Sequence, residues 1–248
     1  MEINLIKAKC SVNAMSYIKK IFAIVFIVAF LASMPLAFAE SKSDAVQVVY
    51  VLKDDNNYAK PGGTPGGAKP SADYKIWFKG YKTDIPAPLT VYTANPEGLS
   101  ASFVYNTIVT SAATWDSETS ADLVGTISQV DDESGVLGRD YQNSIMFGTY
   151  SDNRAIAVTY AWIDRATKQL IEFDILFNVY YDWGNADPTK MDLQNIATHE
   201  LGHGFNLADI YDQSKSALTM FGYSGEGDTA KRTLELGDIA GIHAVFGT

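Results

Sequence analysis

The pattern of apolar and polar positions divides the chain into many short β-rich runs and a few helical ones. Residues 45–52 (AVQVVYVL) are rich in β-branched side chains and predict a strand. Residues 74–78 and 88–93 read the same way. Over 98–116, Phe103, Ile108, Ala112 and Trp115 fall on one face of a helix. Four runs, 123–130, 144–150, 155–163 and 170–178, are β-rich and bounded by turn residues, and Arg165-Ala166-Thr167-Lys168 makes a tight turn between the last two. A helix is predicted over 192–204, where Leu193, Ile196, Ala197 and Leu201 form the apolar stripe and Asp187-Pro188-Thr189 precedes it as a start signal. A last helix runs from 237 or 238 to about 245. Together these elements predict a mixed α/β (α+β) fold, and no internal repeat is visible.

The first 39 residues stand apart. Lys19 and Lys20 precede an apolar run over 21–31, then come Pro35 and Ala37-Phe38-Ala39. A basic start, a short apolar stretch and a small-residue site are the parts of a secretory signal peptide, cut after Ala39, which predicts a secreted, extracellular protein. The competing reading is an uncleaved membrane anchor. That run reaches about 19 residues only with Pro35 included, near the lower limit for a spanning helix. Between Lys60 and Pro70 the Pro/Gly-rich sequence KPGGTPGGAKP reads as a linker or long loop. Residues 40–59 fit a small propeptide and an additional edge strand equally. The expected organisation is therefore a signal at 1–39, an N-terminal segment and linker at 40–70, and one domain over 71–248.

Composition narrows the partners. The chain has 248 residues, 47% hydrophobic and 19% charged, a globular balance with a formal net charge of −10. Without residues 1–39 it has 15 basic against 28 acidic side chains, a net −13. Such a surface repels phosphate backbones and anionic lipids, so nucleic acid is not an expected partner, and neither is a membrane once the signal is removed. A monomer is expected. The only cysteine, Cys10, lies in the signal segment, so no disulfide supports the remainder.

Chemistry concentrates in the helix over 192–204. His199-Glu200-Leu201-Gly202-His203 is an H-E-x-x-H motif, and the i, i+4 spacing puts both imidazoles on one helix face. Neutral imidazole is a good zinc ligand. Glu200 projects beside the pair, where a carboxylate can take a proton from an activated water. A third ligand requires the helix to stop and the chain to turn back. Asn206 stands where a positive φ is needed, and Asp209 follows at the ligand position. One catalytic Zn2+ held by His199, His203 and Asp209 is the expected cofactor. Asp131-Asp132-Glu133 could hold Ca2+, but a solvated acidic turn is the better reading of that cluster.

Beyond residue 209, Leu218-Thr219-Met220-Phe221-Gly222-Tyr223 follows, with Met220 placed as in a Met-turn. The chain here resembles the metzincin zinc metallopeptidases, whose motif is H-E-x-x-H-x-x-G-x-x-H/D with a Met-turn after it. Residues 236–247, 113–119 and 172–175 resemble segments of the matrixin branch in matching order, so the resemblance spans about 85–248. It implies a twisted five-stranded, mostly parallel sheet whose antiparallel edge strand is 155–163. It also implies an active-site helix beneath the sheet and a small C-terminal helical subdomain. A polypeptide substrate would add to the edge strand, and the activity would be endopeptidase cleavage with Glu200 as general base.

The chain departs from that pattern in several places. Asp209 replaces the commoner His and Asn206 the turn Gly. With three His in all, no structural zinc site is available, and Ser151-Asp152-Asn153-Arg154 is too short for an ion-binding loop. No propeptide cysteine can cap the metal, so any latency needs another device. Gly237 removes an acid that pairs with the N-terminus in matrixins, whereas Asp238 remains to buttress the Met-turn. Tyr223 is a candidate for oxyanion stabilisation or a pocket wall, and the lone His243 reads as structural. Two rival readings stand beside this one. Glu226 could be the third ligand, as in gluzincins, or the protein could be a secreted metal-binding or cell-surface module without turnover.

Overall fold

The structure is a computed structural model that describes residues 45–54, 73–131 and 133–248. The signal reading of 1–39 and the linker at 60–70 lie outside the described residues. The compact unit containing the sheet runs from Ser43 to Thr248.

Among the described residues, ten strands and three α-helices organise this unit. The main strands are β1 (Ala45–Asp54), β3 (Ala87–Tyr92), β4 (Val124–Val130), β5 (Asn143–Gly148), β6 (Ala155–Asp164) and β7 (Gln169–Asn178), and two-residue strands are β2 (Lys82–Thr83), β8 (Trp183–Gly184), β9 (Met191–Asp192) and β10 (Tyr223–Ser224). The helices are α1 (Ala101–Asp116), α2 (Leu193–Gly204) and α3 (Leu236–Phe246). The sheet has eight strands in the order β10-β1-β6-β7-β5-β3-β4, with β2 attached to β7. All its pairings are parallel except β1–β6 and β6–β7. The fold is thus mixed α/β around a mostly parallel sheet.

Three expectations need correction. The sheet has eight strands rather than five, and residues 155–163 do not form its edge. Strand β1 pairs with β6 along its whole length, from Ala45 opposite Asp164 to Lys53 opposite Ala155. The physical reason lies in β6 itself, AIAVTYAWID, which is buried on both faces. A strand that apolar cannot leave its outer N–H and C=O groups to water without inviting aggregation, so it is covered. Of the two readings of 40–59, β1 corresponds to the additional strand, since it pairs with β6 in the sheet. Residues 74–78 are not a strand either, and contribute only a bridge from Ile76 to Leu207.

The core fills the space between the sheet and helices α1 and α2. Ser100 caps α1 by accepting from the Phe103 N–H at 3.2 Å. Trp115 near the end of α1 is fully buried, and its Nε1–H donates to the Thr198 carbonyl in α2 at 2.7 Å. That bond fixes the rotation of α2 against α1. Phe205 packs edge-on between Trp115 and Phe173 of β7. Among the described residues no helix is long and apolar enough to cross a membrane.

On β7, Glu172 and Asp174 turn their carboxylates onto the loop before β5. Glu172 accepts from the Asp140 and Tyr141 N–H groups at 3.0 and 2.6 Å, and Asp174 from Gly138 and Ser144, both at 3.0 Å. Burial raises Asp174 from 3.8 to about 7, against those backbone donors, and also raises Glu172. In the unfolded chain Asp174 ionises near its ordinary value, so between the two values the folded state holds the proton more tightly. Stability should therefore fall as pH rises from about 4 to about 7 and level off above. Urea midpoints across that range test this, with Asp174→Asn expected to flatten the slope.

Candidate metal centre

Helix α2 begins at a heavily anchored cap. Asp192 accepts from the Asn195 N–H at 2.9 Å and from the Ala186 N–H at 2.7 Å, and pairs with the Arg232 guanidinium. Asp187 instead closes its own turn with Thr189. Beyond this cap α2 is buried almost all round, and His199, Glu200 and His203 are fully buried. The two imidazoles stand perpendicular with centroids 4.8 Å apart.

The helix ends in a turn that delivers the third group. Asn206 has φ +70°, its N–H donates to the His203 carbonyl at 2.9 Å, and the Leu207 N–H reaches back to Gly202 at 2.9 Å. This pair of bonds is a Schellman motif, closed by Asn in the left-handed position. Its side chain explains why Asn serves here rather than Gly. Oδ1 accepts from the Phe78 N–H at 3.1 Å, while Nδ2 donates to the Phe78 and Tyr81 carbonyls at 3.1 and 2.9 Å. One residue thus reverses the chain and clamps the segment before β2. The reversed chain then pairs with the turn at 218–221, since the Ile210 N–H donates to the Met220 carbonyl at 2.9 Å and the Gly222 N–H to Ile210 at 3.0 Å. Asp209 is held between them.

Met220 lies directly under α2. A Cβ at Gly202 would meet the Met220 sulfur inside van der Waals contact and the Trp115 ring at 2.8 Å, so only glycine fits. Asp238 of α3 accepts from the Thr219 N–H at 2.8 Å and the Met220 N–H at 3.0 Å, fixing the turn as its sequence position implies. The Thr219 carbonyl in turn accepts from Nδ1 of His199 at 2.6 Å, and the Leu207 carbonyl from Nδ1 of His203 at 2.9 Å.

These two bonds settle the imidazoles chemically. A carbonyl only accepts, so each Nδ1 carries the proton and each neutral ring presents a lone pair at Nε2. Both Nε2 atoms face Asp209 Oδ1, at 3.2 Å for His199 and 3.5 Å for His203. Burial lowers His199 to about 4, so it is neutral at pH 7. Burial alone would raise Asp209, but the imidazoles of His203 and His199 hold it well below the carboxylate range. On His203 burial is outweighed by the facing Asp209 and Glu200 carboxylates, and its pKa rises. Acceptors turned on one another at such distances require a cation between them: a metal ion, or in its absence a proton on His203. Among the described residues these three form the one cluster able to hold a metal ion, with donor atoms within 4.8 Å of one another.

Glu200 faces the same space without joining the three. Its Oε2 accepts from the Thr159 hydroxyl of β6 at 2.5 Å, and its buried Oε1 has no hydrogen-bond partner. Burial pushes it up to about 7, opposed by the neighbouring His203 and by Thr159.

The other residues singled out in the sequence do not belong to the cluster. Glu226 is exposed on a turn and does not belong to the cluster. Tyr223 is in β10, its ring packed on Tyr211 and Phe221. His243 bonds through Nε2 to the Glu118 carbonyl and ties α3 to the end of α1. Asp131 accepts from Thr93 and Gln129, a local turn arrangement. Two tyrosines went unread. Tyr211 donates its hydroxyl to Asp209 Oδ2 at 2.9 Å and orients the third ligand. Tyr50 of β1 stacks on His203, with centroids 4.2 Å apart and rings 12° from parallel. Only the spacing of Tyr211, two residues after Asp209, was a sequence signal. Comparison with known proteins assigns no family, since no protein-family model and no curated protein matches the sequence.

Asn206→Gly relaxes the backbone but removes three side-chain hydrogen bonds. It should destabilise the protein by about 1–3 kcal/mol, and Asn206→Ala by more, because alanine also resists the left-handed conformation. Urea midpoints of the two variants against the wild type decide this, and a Gly variant as stable as the wild type would refute the clamp.

Proposed function

We propose that the chain is a secreted, matrixin-like zinc endopeptidase in which His199, His203 and Asp209 bind the ion and Glu200 is the general base. The observation that carries the reading is the convergence of three acceptor atoms on one buried space with a buried carboxylate oxygen, Oε1 of Glu200, that has no hydrogen-bond partner. Zinc bonds of 2.0–2.1 Å in a tetrahedron place neighbouring ligand atoms roughly 3.3–3.4 Å apart. The separations of 3.2 and 3.5 Å from Asp209 to the two imidazoles match that edge. Nitrogen and carboxylate donors without cysteine suit zinc in an extracellular protein, and three protein ligands leave a position open for chemistry.

When bound, zinc supplies Lewis acidity, which acidifies water and polarises a carbonyl. The remaining work falls to the chain. Thr159 holds one oxygen of Glu200 and leaves the other directed into the site, to take the proton of the attacking water and return it to the leaving amine. Tyr211 and the two backbone carbonyls keep the ligands from rotating as charge shifts. The strand body β6-β7-β5-β3-β4 with α2 packed against it, and Met220 beneath the ligands, supports the metzincin comparison.

A metal-binding module without turnover explains less. Burying an unpaired carboxylate oxygen is costly, and holding a metal does not need Glu200. Glu200→Gln should retain about one zinc per chain and lose cleavage of unfolded casein by on the order of 10²–10⁴-fold. Zinc content with undiminished cleavage would remove Glu200 from the mechanism. No zinc in either protein would remove the centre itself.

A further inference from the structure

Strand β1 occupies an unusual place. It lies between β6, antiparallel to it, and β10, parallel to it, with Lys53 opposite Tyr223 and Asp54 opposite Ser224. Those neighbours are the two walls of the centre: β6 carries Thr159, which holds Glu200, and β10 follows directly on Met220-Phe221-Gly222. A peptide adding to β6 as a strand would need the place that β1 fills.

The register makes the contact specific. Tyr50 is paired with Thr159, and in an antiparallel pair directly opposed side chains share a face. Tyr50 therefore points to the side of the sheet where Thr159 meets Glu200. Its ring lies flat on His203 and is 2% exposed. Five buried side-chain polar atoms among the described residues lack a hydrogen-bond partner: Nε2 of His199 and of His203, Oδ1 of Asp209, Oε1 of Glu200, and the Tyr50 hydroxyl. Four of them are the centre. Leaving a buried hydroxyl unsatisfied costs about 1–3 kcal/mol, so the fifth calls for the same explanation as the other four.

We propose that Tyr50 is a fourth ligand of the metal centre, delivered by the chain's own β1 lying in the track a substrate strand would use. The phenol oxygen bonds the ion and its proton leaves to solvent, one per ion bound. While Tyr50 is bound, the position that three ligands leave for water and the substrate carbonyl is taken, so cleavage by the wild type is slowed rather than abolished. This rests on the zinc-peptidase reading for its consequence, but the ligation can be tested alone.

The full chain is loaded with Cu2+ as wild type, Tyr50→Phe and Tyr211→Phe, and separately with Zn2+ for hydrolysis of a short chromogenic dipeptide amide, which needs no strand site on β6. Phenylalanine keeps the ring stacked on His203 and removes only the oxygen. A visible phenolate-to-copper charge-transfer band is expected in the wild type and in Tyr211→Phe and absent from Tyr50→Phe. Tyr50→Phe frees the position on the ion while β1 stays on β6, so with zinc it should hydrolyse the dipeptide amide at least tenfold faster than the wild type. A band that persists in Tyr50→Phe, or that follows Tyr211, overturns the ligation. Equal cleavage rates in wild type and Tyr50→Phe overturn the blocking role. If no chain cleaves while the band still follows Tyr50, the ligand assignment stands and the peptidase reading falls.

Discussion

Two imidazole lone pairs and a carboxylate oxygen share a buried space less than 5 Å across, and the rest of the structure depends on keeping them there. None of the three gains from this proximity by itself. Each has given up water, and each meets another acceptor in place of a donor. A cation turns that cost into an attraction, which links the stability of the fold to metal. An ion present at a thousand times its dissociation constant adds about 4 kcal/mol, a large share of what an ordinary domain has. In a protein whose one cysteine is Cys10, a metal bound here would stand where a disulfide otherwise does.

Holding such a centre takes elements from the whole unit. His199 is oriented by Thr219, Thr219 by Asp238 and Asp238 by α3, while His203 is oriented by Leu207 through the turn that Asn206 closes. The turn and the helix beneath it are pressed together at Gly202, where there is no room for a methyl group. Each imidazole thus has its proton fixed by a backbone carbonyl, which no side-chain substitution can remove. Changes that reach the ligands must act through the turns.

What could be read in advance was what is local. The i, i+4 spacing of His199 and His203 is a property of any helix, and the need for a reversal before Asp209 follows from helix geometry, so both were legible in a dozen residues. Asn206 was legible as a turn residue, but its grip on Phe78 and Tyr81 was not, because partners more than a hundred positions away leave no local trace. Residues 74–78 were apolar enough to suggest a strand, yet serve as that partner. The pairing of β1 with β6 was missed for the same reason, although one signal was present. An edge strand alternates, whereas AIAVTYAWID is apolar almost throughout and reads as a strand covered on both sides. Reading 155–163 as an edge followed the resemblance against the pattern.

The placement of β1 also bears on how strongly it must bind to matter. Only 18 positions separate Asp54 from Asp73 in the sequence, so on the proposed reading β1 would compete with a substrate strand for β6 from within the same chain. The effective concentration of such an intramolecular competitor is on the order of millimolar. Against a substrate at micromolar concentration it holds an advantage of about a thousandfold, roughly 4 kcal/mol, before any contact is counted. A strand of ordinary sequence, with one tyrosine in register with Thr159, is then enough to occupy the cleft. The same arithmetic makes the occupancy depend on attachment. A chain cut between β1 and Asp73 keeps every contact described for Tyr50 and loses the concentration that sustains them.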